Sequence, residues 1–203
     1  MREELLEIYS SSGKKTGKKA TKSYIHKKGL FHATVHVWIF SEKGNVLIQK
    51  RSTKKKLNPG VWDVSVAGHI GYKEDIKAAA IRETFEETGI HIKEKDLLKL
   101  GIYTSESIHS KIIDREFHHT YILKIDEVKI NLNYKNDEVD DLKLISLREM
   151  DLLLNQNSRD IFIGKMTGAN MTGAILGGAT FGPKADGVAG DFPGESYCVR
   201  CIT

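Results

Sequence analysis

The sequence predicts a mixed α/β (α+β) fold in layers, on three observations. Runs of β-branched and aromatic residues, bounded by turn residues, lie on both sides of one strong helix signal at residues 75–88. A second helix signal, marked by a capping box, follows the last of these runs. The chain has 203 residues, enough for one compact domain whose core needs neither disulfides nor a structural metal.

Residues 1–23 are polar and lysine-rich and read as an extended arm or a hairpin. The run FHATVHVWIF at residues 31–40 has strand composition, residues 41–45 with Gly44 form a turn, and residues 46–50 return as a second strand. A polar loop then ends in Pro59 and Gly60, and residues 62–66 alternate as a strand. The helix at 75–88 has Ile76, Ala79, Ala80 and Phe85 as its expected inward stripe and Gly89 as its stop. Residues 97–104, 117–125 and 142–145 read as strands, and Ser146 with Glu149 caps a helix reaching about Leu154. The domain is expected to span residues 1–163.

Beyond it the composition shifts. Nine of the 18 glycines fall in residues 164–194, and residues 166–183 carry no charge. This predicts a flexible, glycine-rich tail over 164–203, or a segment foreign to the domain. Cys198 and Cys201 form a lone CxxC with no second pair or nearby histidine, so a zinc or redox role has no support.

Formal net charge is +4, and hydrophobic residues make up 40% of the chain. No run approaches the roughly 18 apolar residues of a membrane span, and Arg2, Glu3, Glu4 and Glu7 occupy the place of a signal's apolar region. With two late cysteines, a cytoplasmic protein without a membrane partner is the expectation. Lysine clusters at 14–15, 18–19, 27–28 and 54–56 precede acidic stretches at 83–87 and 137–141. Such a basic face suits phosphate-bearing molecules or is simply solvated; a nucleic-acid partner is not expected. The oligomeric state is left open, a homodimer being one compatible state.

Chemistry concentrates in GHIGYKEDIKAAAIRETFEETGI, residues 68–90. Glu83 with Glu87 is an i,i+4 pair and Glu83 with Glu86 an i,i+3 pair, so the three carboxylates share a helix face. They crowd the negative end of the helix dipole, which costs roughly 0.3–1 kcal/mol each, and repel one another by roughly 0.2–0.5 kcal/mol per pair. Arg82 offsets only part of this. A hard divalent cation, Mg²⁺ or Mn²⁺, resolves the conflict and points to metal-assisted attack on a phosphate anhydride. The residues alone equally allow an acidic, solvent-facing helix end.

This segment resembles the signature of the Nudix hydrolases, Gly-x5-Glu-x7-Arg-Glu-U-x-Glu-Glu-x-Gly-U with U bulky and aliphatic. Gly68, Glu74, Arg82, Glu83, Glu86, Glu87, Gly89 and Ile90 fall on it, and Thr84 departs from it. The resemblance implies a mixed β-sheet packed between helices in an α-β-α sandwich. It further implies metal ligation by Glu83, Glu86 and Glu87 with the Gly68 carbonyl, and an Arg82 that orients a glutamate with Glu74 as its partner. The expected reaction is hydrolysis of a small-molecule diphosphate. A cluster glutamate is favoured as general base over Glu138. Lys50, Arg51 and Lys54 to Lys56 are expected to neutralise the distal phosphate, with Trp62 in the pocket wall.

A second resemblance, within the same fold, is to the type I isopentenyl-diphosphate isomerases. It rests on Phe31-His32, Pro59-Gly60-Val61-Trp62, Gly68-His69 and Asp114-Arg115-Glu116. Their metal site of three histidines and two carboxylates matches His32, His69, Asp114 and Glu116, with His26 one residue out of register. A second metal site is implied, although His32 and His69 also read as hydrogen-bonding pocket residues. The isomerases' cysteine before Gly-His is here Ala67, which has no proton to move, and the Arg-Glu…Glu-Glu core is intact. Hydrolysis therefore ranks above isomerisation, and both above a non-catalytic ligand sensor.

Overall fold

The computed structural model describes residues 3–109 and 112–155. Strands β1 (Leu5–Tyr9) and β2 (Lys15–Thr21) form a separate antiparallel hairpin, as the amino-terminal reading allowed. Helix α1 (Lys22–Lys28) follows, which composition did not announce. Its ends are nonetheless written locally: the Thr21 side chain accepts from the Tyr24 amide, and Gly29 closes it in the left-handed conformation.

Among the described residues the main sheet has seven strands: β3 (His32–Ser41), β4 (Asn45–Arg51), β5 (Trp62–Asp63), β6 (Val66–His69), β7 (Leu97–His109), β8 (Ile112–Ile125) and β9 (Val139–Ser146). The order is β5-β4-β3-β8-β7, with β6 on β3 and β9 on β4. Only β3 and β8 run parallel among these pairs. The single strand expected over 62–66 is two. β5 pairs with β4, β6 pairs with β3, and Val64 and Ser65 carry the chain between them. Ser65 stabilises that crossing by donating to the Leu47 carbonyl at 2.5 Å and accepting from the Ile39 amide at 2.8 Å.

All ten residues of β3 are buried, and their alternation builds two cores. Ala33, Val35, Val37 and Ile39 join Ala79 and Ala80 of helix α2 (Ile76–Thr88). Trp38 and Phe40 join Ile48, Ile122, Ile145 and Met150, the last from helix α3 (Leu147–Asn155). The result is the layered α-β-α arrangement. Full burial of each of these large side chains contributes roughly 1.5–3 kcal/mol.

Helix α2 starts where expected, with Asp75 accepting from the amides of Lys77 and Ala78 at 2.9 and 3.0 Å. Its expected stripe needs one correction: Phe85 is 44% exposed and stacks on His91 instead. At about 100° per residue, Phe85 points roughly opposite Ile76. The buried face continues through Glu83, Thr84, Glu87 and Thr88. Thr84, the departure from the aliphatic pattern, is accommodated by donating its hydroxyl to the Ala80 carbonyl. The capping box of α3 is present in both directions, Ser146 N–H to Glu149 and Glu149 N–H to Ser146. Among the described residues no helix is long and apolar enough to cross a membrane. The glycine-rich tail, with Cys198 and Cys201, lies outside the described residues.

Candidate active site and metal-binding residues

Two clusters of charged side chains meet at β6. Opposite β3, Ala67 pairs with His36, Gly68 with Val35 and His69 with Thr34. Alternation therefore sends Ala67 and His69 to the face that carries His32 and His36. The glutamates of α2 reach β6 from beside it.

Glu83 and Glu87 are buried and Glu86 is exposed. Gly68 is required by contact: a side-chain carbon there would lie 1.9 Å from the Glu83 carboxyl carbon. Arg82 holds the cluster together. Its Nε and Nη2 donate to the two oxygens of Glu74 at 2.8 and 2.9 Å, and Nη1 donates to Glu83 at 2.7 Å and Glu86 at 2.9 Å. Glu74 also accepts from the Gly71 amide. On Glu87, a single oxygen, Oε2, accepts from the Ala67 amide at 2.8 Å and from Gln49 at 2.6 Å.

Burial raises Glu83 to about 7 even beside Arg82. Burial, reinforced by the charge on Glu83, raises Glu87 to about 8. Carboxylates carried into a poorly solvated site resist ionisation, and a cation there would reverse that preference. Glu138 differs: burial opposes its ionisation, yet Lys55 at 2.5 Å holds it below the ordinary range.

The second cluster lies on the other side of β6. One ligand atom from each of His26, His32, His69 and Glu116 falls within 4.8 Å of every other. His32 Nε2 and His69 Nε2 stand 3.4 and 3.6 Å from Glu116, and His26 Nε2 stands 3.5 Å from Asp114. His26 therefore joins the group despite its linear offset, because α1 lays it over His32 with ring centroids 5.1 Å apart. The Nε2 atoms of all three histidines and Oδ1 of Asp114 are buried without hydrogen-bond partners among the described residues. Buried polar atoms are rarely left so. His32 Nδ1 lies 3.2 Å from the Leu30 carbonyl; donation there leaves Nε2 with its lone pair.

Burial drives His26 down to about 4 and His69 well below its ordinary value, so both are neutral, as ligation requires. His32 is raised: burial opposes this, but Glu116 outweighs it. Glu116 is correspondingly held well below the carboxylate range despite its burial. Burial and the neighbouring Glu116 raise Asp114 to about 7. Three imidazole nitrogens with a carboxylate oxygen suit Mn²⁺ or Zn²⁺.

Some of the expected phosphate-binding side chains are engaged elsewhere. Arg51 donates to Asp63 at 3.2 Å and to the Leu57 carbonyl at 3.4 Å, and Lys54 pairs with Asp137 at 2.7 Å. Lys50 stands opposite Trp62 in the β4–β5 pairing. Trp62 lines a mainly apolar cavity of about 260 Å³ with Ile48, Lys143, Ile145 and residues of α3. None of the box glutamates or clustered histidines borders it. Gln49 was not anticipated; its signal is a buried amide directly after the apolar residues Val46, Leu47 and Ile48 of β4.

A sequence model of the NUDIX domain matches residues 30–163. An uncharacterized Nudix hydrolase of Clostridium acetobutylicum is 35% identical over 165 residues, which are 80% of this chain and 79% of that protein. An isopentenyl-diphosphate Delta-isomerase of Photorhabdus laumondii is 35% identical over 145 residues, 70% of this chain and 77% of the relative. A crystal structure of a Deinococcus radiodurans protein shares the fold, with a TM-score of 0.58 at 16% identity, covering 85% of this chain and 98% of its own. With the box at β6 and relatives of both kinds, the chain belongs to the Nudix family, as a Nudix hydrolase of the branch that also contains the isopentenyl-diphosphate isomerases.

Proposed function

We propose that the protein is a metal-dependent pyrophosphohydrolase that cleaves the diphosphate linkage of a small organic diphosphate, a nucleoside diphosphate joined to another group included. The observation that carries this reading is the packing of Glu83 on Gly68, whose missing side chain admits its carboxylate, while Glu86 shares Arg82 with Glu83 and Glu87 reaches the Ala67 amide. These three residues and the Gly68 carbonyl would hold Mg²⁺ or Mn²⁺. His26, His32, His69 and Glu116, with Asp114 beside them, would hold a second, transition-metal ion; the unpartnered Nε2 atoms of the histidines and Oδ1 of Asp114 suit it. Metal held there would neutralise charge developing on the phosphate oxygens.

The residues divide the remaining work. Arg82 fixes Glu83 through Oε1 and leaves Oε2 as the atom placed to take the proton of the attacking water. Gln49 and the Ala67 amide fix Glu87 through Oε2 and so orient its other oxygen. Lys50, Arg51 and Trp62 would face the substrate, with Arg51 exchanging its hold on Asp63 for a phosphate oxygen. Incubating a panel of diphosphates with magnesium in ¹⁸O-water, and weighing the products, tests the reading. The label is expected in one phosphoryl product, and Glu86→Gln is expected to lower turnover by about a hundredfold or more. Unchanged turnover in that variant would refute it.

The histidine cluster favours one alternative, isopentenyl-diphosphate isomerisation. Ala67 opposes it, since a methyl group cannot transfer a proton. Double-bond migration in isopentenyl diphosphate, without phosphate release, would put isomerisation first.

A further inference from the structure

Residues 131–138, which lead into β9, close over the carboxyl end of α2. The last carbonyls of a helix have no partner within it, and in α2 that last turn carries Glu86 and Glu87. The Glu86 carbonyl accepts from Asn136 Nδ2 at 2.5 Å and from the Tyr134 hydroxyl at 3.1 Å, donors 50 and 48 residues away in sequence. Gly89 admits the Tyr134 ring, since a side-chain carbon there would lie 2.8 Å from it. Two donors from a distant loop thus meet the negative end of the helix dipole, where the three carboxylates crowd.

The other half of the Asn136 amide faces away from α2. Its Oδ1 accepts from the backbone amides of Glu138 at 2.7 Å and Val139 at 2.8 Å. The reverse orientation would set Nδ2 against two N–H groups, so these partners fix which end of the amide points where. The chain beyond is bound in turn to the loop that carries the lysines. The Ser52 amide donates to the Glu138 carbonyl at 2.8 Å and the Thr53 amide to Asp140 at 2.9 Å. Lys54 pairs with Asp137 and Lys55 with Glu138. Asn136 therefore stands between the metal-binding end of α2 and lysines expected at the distal phosphate.

We propose that Asn136 is a positioning residue that couples the two halves of the active site, holding the lysine loop at a fixed distance from the box glutamates so that one diphosphate spans both. Its donor half grips Glu86, and its acceptor half shapes the turn that presents Glu138 and, through it, Lys55. Serine or aspartate at this position can keep the acceptor half. Neither can replace the donor half, because serine is too short and an ionised aspartate has no proton to give. Coupling of this kind is reciprocal: metal tightens diphosphate binding by the factor by which diphosphate tightens metal binding. The inference takes both ligands from the function proposed above, but its test requires no turnover.

Calorimetry with Mg²⁺ alone, methylenediphosphonate alone, and methylenediphosphonate in saturating Mg²⁺ decides it. In the unaltered protein the metal is expected to tighten diphosphonate binding by about tenfold or more. Asn136→Ser is expected to bind each ligand alone within about twofold of the unaltered protein, yet to lose about fivefold or more of that enhancement. Asn136→Asp is expected to lose the enhancement likewise, and Tyr134→Phe, which leaves the Asn136 donor in place, to lose less. A merely loosened fold would weaken each ligand alone, so equal losses alone and together overturn the proposal. So do full enhancement in both Asn136 variants, or no enhancement in the unaltered protein. Absence of a urea unfolding transition in both Asn136 variants also overturns it, by making the residue structural. Failure of the hydrolase reading shows separately, as enhancement that depends on Asn136 in a protein that turns over no diphosphate.

Discussion

The Nη2 atom of Arg82 donates to the backbone carbonyl of His69 at 3.0 Å. One guanidinium thereby ties the glutamate box to the strand residue whose ring joins the histidine cluster. Lysine cannot reproduce that planar fork. Arg82→Lys is expected to lower kcat by about tenfold or more and to weaken metal binding at both clusters, measurable by calorimetry with Mg²⁺ and Mn²⁺. Arg82→Ala should destabilise the fold in urea by roughly 1–3 kcal/mol. That is less than a fully buried pair would cost, because the guanidinium is 34% exposed.

Gly68→Ala places a methyl group on the Glu83 carboxylate. Either β6 shifts or Glu83 rotates away, and each outcome dismantles the box. Loss of magnesium binding with circular dichroism little changed is the expected result. Full activity in this variant would contradict the proposed arrangement.

Stability of the metal-free protein should fall as pH rises from about 6.5 to 8.5. Glu83 and Glu87 have folded pKa values of about 7 and about 8, above the ordinary 4.5. Their protonated forms favour the fold, and that contribution is lost as pH rises through those values. Asp114, also raised to about 7, and His32, also raised, act in the same direction. The depressed histidines act below their ordinary 6.5 and leave this window clear. Thermal melts should show a smaller fall for Glu87→Gln. Millimolar magnesium should raise Tm more at pH 8.5 than at pH 6.5.

Metal held by the histidine cluster should depend on its own side chains. Metal analysis of protein purified with manganese or zinc is expected to find one tightly held ion, which His69→Ala or His26→Ala releases. Retention of that ion in both variants would place it elsewhere.

The sequence by itself determined the box, its helix and its caps. Asp75, Gly89, Ser146 and Glu149 act within a few residues of themselves, and three carboxylates on one helical face follow from spacing alone. Tertiary structure decided what faces those carboxylates. Gln49 and the Ala67 amide reach Glu87 across 38 and 20 residues, and His26 reaches Asp114 across 88, through a short helix with little compositional signal. It also decided that Phe85 faces outward and that residues 62–66 divide between two strand partners. Caps and helical faces are local consequences of backbone geometry, whereas burial, ligand convergence and shifted ionisation arise only when distant segments exclude water from one another.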